Sequence, residues 1–174
     1  TRRKTMIEIA RYIVSGLLLA LVQTFILQEV NIAWWIKPMP YILLFLNIPV
    51  SVNKFGMLIG AFFFGMTIDA LGGSMGMHTA ACVSLVYFKY HIDAYFLDEN
   101  SMQLQGLSTM HEDYKGWQWY YIYVFSLTFL HHLVFFTFDY FRWSAILTII
   151  WISLTSSVAS VFFVQIFRLL KGKR

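Results

Sequence analysis

Five apolar stretches, each close to the length of a bilayer-crossing helix, limit what this chain can fold into. They run from Ile7 to Gln28, Phe55 to Leu71, Gly76 to about Phe96, Trp117 to Phe138 and Trp143 to Leu170. About 20 apolar residues cover the hydrocarbon core of a membrane when helical. A soluble domain of 174 residues could not hide a chain that is 59% hydrophobic and only 13% charged. The expected fold class is therefore an all-α integral membrane protein, with residues 1–174 forming a single membrane domain. The net charge of +4 does not point to nucleic acid, because the basic residues gather at the ends of apolar runs rather than on a soluble face. The lone cysteine, Cys82, lies inside an apolar run and can form no internal disulfide. The first stretch is too long for a cleavable signal peptide and lacks a small-residue cleavage site, so it is expected to stay as a helix.

Pro38 to Val52 is a shorter apolar segment, about 22 Å if fully helical. Pro38 and Pro40 fit a first helical turn, and Pro49 should kink the far end. Charge decides whether it crosses. Cytoplasmic loops collect Lys and Arg. With six spans and an inside N-terminus, 11 of the 13 Lys and Arg residues lie inside, and only Lys37 and Arg142 lie outside. With five spans every later loop flips, and the inside keeps only Arg2, Arg3, Lys4, Arg11 and Arg142. Six helices are therefore expected, at about 7–28, 38–52, 55–71, 76–96, 117–138 and 143–170, with both termini cytoplasmic. Trp34, Trp35, Trp117, Trp119 and Trp143 then fall at membrane interfaces. A long cytoplasmic loop is expected at about 89–116. It carries Asp93, Asp98, Glu99, Glu112 and Asp113, five of the nine acidic residues, and reads either as a solvated loop or as a docking site for a cytoplasmic partner.

Residues 60–76, GAFFFGMTIDALGGSMG, are the most informative stretch. At 100° per residue, Ala61, Gly65, Asp69 and Gly72 share one helix face. Small residues on one face let another helix approach, and Gly56 with Gly60 adds a neighbouring GxxxG pair. Gly72, Gly73 and Gly76 allow a tight turn into the next helix. A carboxylate inside a span faces protein or water and usually has a partner. Asp69 is thus either part of a ligand or ion site, or a structural group that braces the turn.

Depth along the helices places Gln23, Asp69, His78, His131 and His132 where they could border one polar pocket in the outer half of the membrane. Two His and an Asp suit zinc, but adjacent His residues point about 100° apart on a helix. No metal, cofactor or catalytic residue is expected. Ser153, Ser156, Ser157 and Ser160 form a stripe of the kind that packs helices. No nucleotide loop, zinc-finger spacing or nucleophile elbow occurs.

Taken together, these residues resemble the rod-shape-determining protein MreD family. The likeness rests on Gly65, Asp69 four residues on, the glycine-rich turn, and Gly76-Met77 opening an apolar helix. It extends back through IKPMPYILLFLNIPVSVNKFG and to Gln23, and more loosely to the basic end FRLLKGKR. The resemblance implies a bacterial inner-membrane protein, similar in fold to the six-helix substrate-binding components of energy-coupling-factor transporters. It implies no enzymatic activity, direct binding of MreC, and a place in the complex with MreB, RodA and its penicillin-binding transpeptidase, regulating lateral peptidoglycan synthesis and cell shape. A second expectation, from the outer-half polar pocket, is the substrate-binding component of a vitamin or small-molecule transporter. The first helix lacks the AxxxA pairing usual there, since Val14 and Thr24 follow Ala10 and Ala20 by four residues. A third is an intramembrane hydrolase or metalloenzyme using Asp69 and the paired histidines.

Overall fold

The apolar runs fold as helices that pack largely in chain order. The computed structural model describes residues 2–28, 33, 35–98, 100, 109 and 112–171. Expectations for Trp34, Glu99, Lys173 and Arg174 fall outside the described residues. Helix α1 is Arg2–Val22, and its end loosens into a π-helical turn at Gln23–Leu27. Then come α2 (Ile42–Leu46), α3 (Lys54–Gly72), α4 (Met77–Phe96), α5 (Glu112–Lys115) and α6 (Trp117–Tyr140). A 3-10 turn at Trp143–Ala145 leads into α7 (Ile146–Lys171). No β-strand occurs among the described residues. Helix α3 packs on α4, α4 on α6 and α6 on α7, while α1 rests on α2 and α3.

Among the described residues, three helical stretches, Lys54–Gly72, Trp117–Tyr140 and Trp143–Ile166, are long and apolar enough to cross a membrane. Helix α4 has the length, with 20 residues, but Lys89, His91 and Asp93 dilute its apolar character. The distribution of side chains is that of a protein dissolved in lipid. Phe55, Ile59, Phe63, Leu147, Trp151 and Phe162 face outward, each more than half exposed, while His78, His131, His132 and Ser160 are fully buried. In water so many exposed large apolar side chains would be a liability. In hydrocarbon such an outer surface is the expected one, and polar groups turn inward.

Three sequence expectations need correction. The helix expected at 38–52 shrinks to the five residues of α2, about 7.5 Å long. The cause is local. Lys37 and Met39 each precede a proline, and steric conflict with the proline ring pushes such residues out of the helical region. Ile48 precedes Pro49 and ends the helix for the same reason. The segment nevertheless runs back along α1. Gln23 Nε2 donates to the Pro38 carbonyl at 3.5 Å, and Tyr12 OH donates to the Asn47 carbonyl at 2.7 Å. Between Tyr12 and Gln23, α1 rises about 16 Å.

Lys89 and Asp93 do not belong to a loop starting at 89. Helix α4 continues to Phe96, and both side chains are buried and paired with each other. Helical spacing of i and i+4 stacks them on one face, which a count of loop charges overlooks. Finally, Gly56 and Gly60 pack against no helix among the described residues. A Cβ added at either would meet nothing within 4 Å. Both line an apolar groove of about 550 Å³ between α1, α2 and α3.

Candidate functional site: a buried polar seam

Helices α3 and α4 are joined by a turn whose backbone is set by glycine. Gly73 ends α3 at φ 69° and Gly76 precedes α4 at φ 84°, in the left-handed region that favours glycine. Gly76 therefore stands at the helix N-cap with no side chain to bond the free N–H groups of the first turn. Asp69, one turn before the end of α3, supplies that cap from across the hairpin. Its Oδ1 accepts from Ser74 Oγ (2.6 Å) and His78 N (3.0 Å), and its Oδ2 from Thr79 N (2.8 Å) and Thr79 Oγ1 (2.6 Å). The positive end of the α4 dipole adds to the attraction. Gly65, one turn earlier on the same face, allows the close approach this needs. A Cβ there would lie 2.5 Å from Thr79 Cα and 2.8 Å from the His78 carbonyl oxygen. Of the two sequence readings of Asp69, the geometry is that of the turn brace.

The second part of the seam is the Lys37–Pro40 segment, which has no regular secondary structure and is threaded between the end of α1, α6 and α7. Backbone without secondary structure can sit this deep only if every polar group finds a partner. Two of its four residues are proline and carry no N–H. Lys37 N donates to Ser156 Oγ (3.0 Å) and Met39 N to Ser160 Oγ (2.9 Å). The Lys37 carbonyl lies 3.3 Å from His132 Nε2, and the Pro38 carbonyl takes Gln23 Nε2. The Met39 and Pro40 carbonyls accept from Ile42 N (3.3 Å) and Leu43 N (3.0 Å), opening α2. Five of the six groups of this segment thus have a donor or acceptor; the Lys37 carbonyl gains one only when the single N–H of neutral His132 is on Nε2 rather than on Nδ1, which faces the Thr128 carbonyl. The serine stripe of α7 does more than pack helices: Ser156 and Ser160 replace the hydrogen bonds that proline-rich backbone cannot make with itself.

The third part is a chain of rings. Tyr41 OH lies 2.8 Å from His78 Nδ1 and 2.9 Å from His131 Nε2. His78 Nε2 in turn lies 3.2 Å from the side-chain amide of Gln28. A phenol has one proton, so Tyr41 donates to one imidazole and accepts N–H from the other. His132 does not join this chain. Its Nδ1 faces the Thr128 carbonyl at 2.8 Å and its Nε2 faces Ser160 Oγ at 3.2 Å.

The five residues expected to share one pocket thus divide. Gln23 and His78 line a polar cavity of about 270 Å³, together with Gln28, Ser74 and the Lys37–Asp139 ion pair at 3.3 Å. Asp69 is committed to the turn, His131 to Tyr41, and His132 to α7 and the Lys37–Pro40 segment; none of these three lines the cavity. Sequence reasoning missed Tyr41, Gln28, Lys37, Ser74 and Thr79. Ser74 and Thr79 flank Gly76 and could have been found by asking what caps a helix whose N-cap is glycine. Tyr41 gave no such signal, since an aromatic beside a proline reads as an interface residue.

Among the described residues, several buried polar atoms have no partner: Gln23 Oε1, Thr24 Oγ1, Thr128 Oγ1, His131 Nδ1 and Ser153 Oγ. Of these residues only Gln23 lines the polar cavity. Among the described residues, no group of three His, Cys, Asp or Glu side chains is placed to hold a metal ion. Compared with models of known protein families, with curated proteins and with solved structures, the chain matches none.

Proposed function

We propose that the chain is a non-catalytic scaffold of the bacterial cell-elongation machinery, an MreD-like inner-membrane protein. In this reading it binds MreC directly and tunes lateral peptidoglycan synthesis within the complex containing MreB, RodA and its transpeptidase. One observation carries it. The residues behind the MreD resemblance, Gly65, Asp69, Gly73 and Gly76, build a rigid hairpin in which the carboxylate is consumed by four hydrogen bonds. A group so committed braces a surface and has no free lone pair to offer a reaction. The test is co-purification from membranes with MreC, where a clean failure to associate counts strongly against the reading.

We further propose six crossings with both ends cytoplasmic and a fold like that of energy-coupling-factor substrate-binding components. The antiparallel run of Pro38 to Asn47 along α1 supports a crossing there. Removing buried Lys89 from the charge count lowers the inside total from 11 to 10 and leaves the bias unchanged. Met75, at the tip of the α3–α4 turn and 99% exposed, reports the orientation. In a Cys82→Ser background, Met75→Cys should react with a membrane-impermeant maleimide from the periplasm. Reaction only after the inner face is opened contradicts six spans.

A transporter's substrate-binding component is the second reading. It is favoured by the polar cavity, where buried Gln23 Oε1 is left without a partner. A vitamin retained through purification, or a thermal shift with one, would promote it above the scaffold.

A further inference from the structure

The cavity beside Lys37 has a wall whose chemistry is specific. Gln23 is 2% exposed, and its Oε1 is a buried acceptor with no donor among the described residues. Gln28 and His78 close part of the wall by bonding to each other. The remaining charges are one ammonium and one carboxylate, Lys37 and Asp139, whose side chains are 52% and 28% exposed. A half-exposed pair of this kind contributes little and opens at little cost. A zwitterion can open it without leaving either charge alone, its anion meeting Lys37 and its cation meeting Asp139. The cation must also carry N–H donors, because Gln23 Oε1 needs one. An anionic ligand would set its charge against Asp139.

We infer that this cavity binds phosphoethanolamine, with the phosphate on Lys37 and the ammonium between Asp139 and Gln23 Oε1. Lysine serves as a point charge for phosphate, and a primary ammonium has three donors where choline has none. The exposed apolar faces of the long helices make a bilayer lipid the nearest source of this headgroup. The inference does not rest on the scaffold reading and survives if MreC is not the partner.

The test is native mass spectrometry of the full chain in detergent, titrated with phosphatidylethanolamine or phosphatidylcholine of the same acyl chains. Ethanolamine lipid should be retained about tenfold more tightly, equivalent to about 1.4 kcal/mol. Gln23→Met, with unchanged helical circular dichroism, should bring ethanolamine lipid down to the choline level and leave choline lipid unaffected, whereas Asp139→Ala, with the same control, should weaken both lipids. Equal retention of the two lipids by the unaltered chain overturns the inference, as does selectivity that persists in Gln23→Met. Free O-phosphoethanolamine separates the sources. Displacement of the lipid at matched concentration assigns the site to the soluble zwitterion, and no displacement assigns it to the lipid.

Discussion

Helix α4 is held at each end by a buried aspartate, and the two are stabilised in opposite ways. Asp69 reaches the N-terminus of α4, where free N–H groups and the helix dipole attract an anion, and among the described residues no cation pairs with it: four neutral donors suffice. Asp93 sits in the last turn of the same helix, where the dipole repels it. There it has both Lys89, one turn back, and Tyr123 OH of α6 at 2.6 Å. The lesson concerns the field and not the residue type. A carboxylate at the start of a helix can be buried on hydrogen bonds alone, whereas one at the end requires a counter-ion.

The largest expected effect breaks the charged end. Asp93→Ala leaves the Lys89 ammonium, 1% exposed, without an anion. Removing one partner of a buried pair costs about 3–5 kcal/mol. Lys89→Met with Asp93→Leu together should restore most of that, since replacing both charges by apolar groups is often neutral. Chemical unfolding in detergent micelles reads both. If the double variant is no better than the single one, the pair is not what holds this end.

The neutral end should respond in a graded way. Asp69→Leu strands two backbone N–H groups and two hydroxyls, and an unsatisfied buried group costs about 1–3 kcal/mol. The hydroxyls can turn elsewhere, so the loss should be smaller than that of Asp93→Ala. Asp69→Asn keeps one acceptor oxygen and should cost about 1 kcal/mol, the scale of a lost helix cap. Equal losses for Asn and Leu would mean that the charge itself, and not the bonding, carries the brace. Thermal unfolding of the two variants side by side decides it.

Much of this was legible in the sequence. The long helices lie on the apolar runs, and the Gly65–Asp69–Gly76 hairpin followed from spacing. What escaped was pairing across the fold. Lys89 and Asp93 were read as loop charges because charge invites solvent, and nothing in the sequence announces Tyr123 as their partner. The proline segment was read as a helix because Pro at a first turn is favourable. Two prolines in alternation instead keep the residues before them out of the helical region, and the serines that rescue this backbone lie more than 100 positions away. That pairing predicts a third effect. Ser160→Ala should leave the Met39 N–H unbonded and cost about 1–3 kcal/mol, whereas Ser160→Thr keeps the hydroxyl and recovers part of it. The unfolding midpoints should rank native, Thr, Ala.

The smallest expected effect tests the two faces of α3 against each other. Gly65 faces α4, and an added methyl would press on the Thr79 backbone, which cannot step aside without loosening the Asp69 cap. Gly65→Ala should therefore cost about 1–3 kcal/mol, the range for overpacking a close contact. Gly60 is on the same helix but points into the open groove, where an added Cβ meets nothing within 4 Å. Gly60→Ala should shift the unfolding midpoint upward if at all, because alanine favours a helix over glycine by about 0.8–1.0 kcal/mol. If Gly60→Ala were instead as damaging as Gly65→Ala in the purified single chain, the open face of α3 would be closed in solution, and the division of this helix into a packed and a free side would fail.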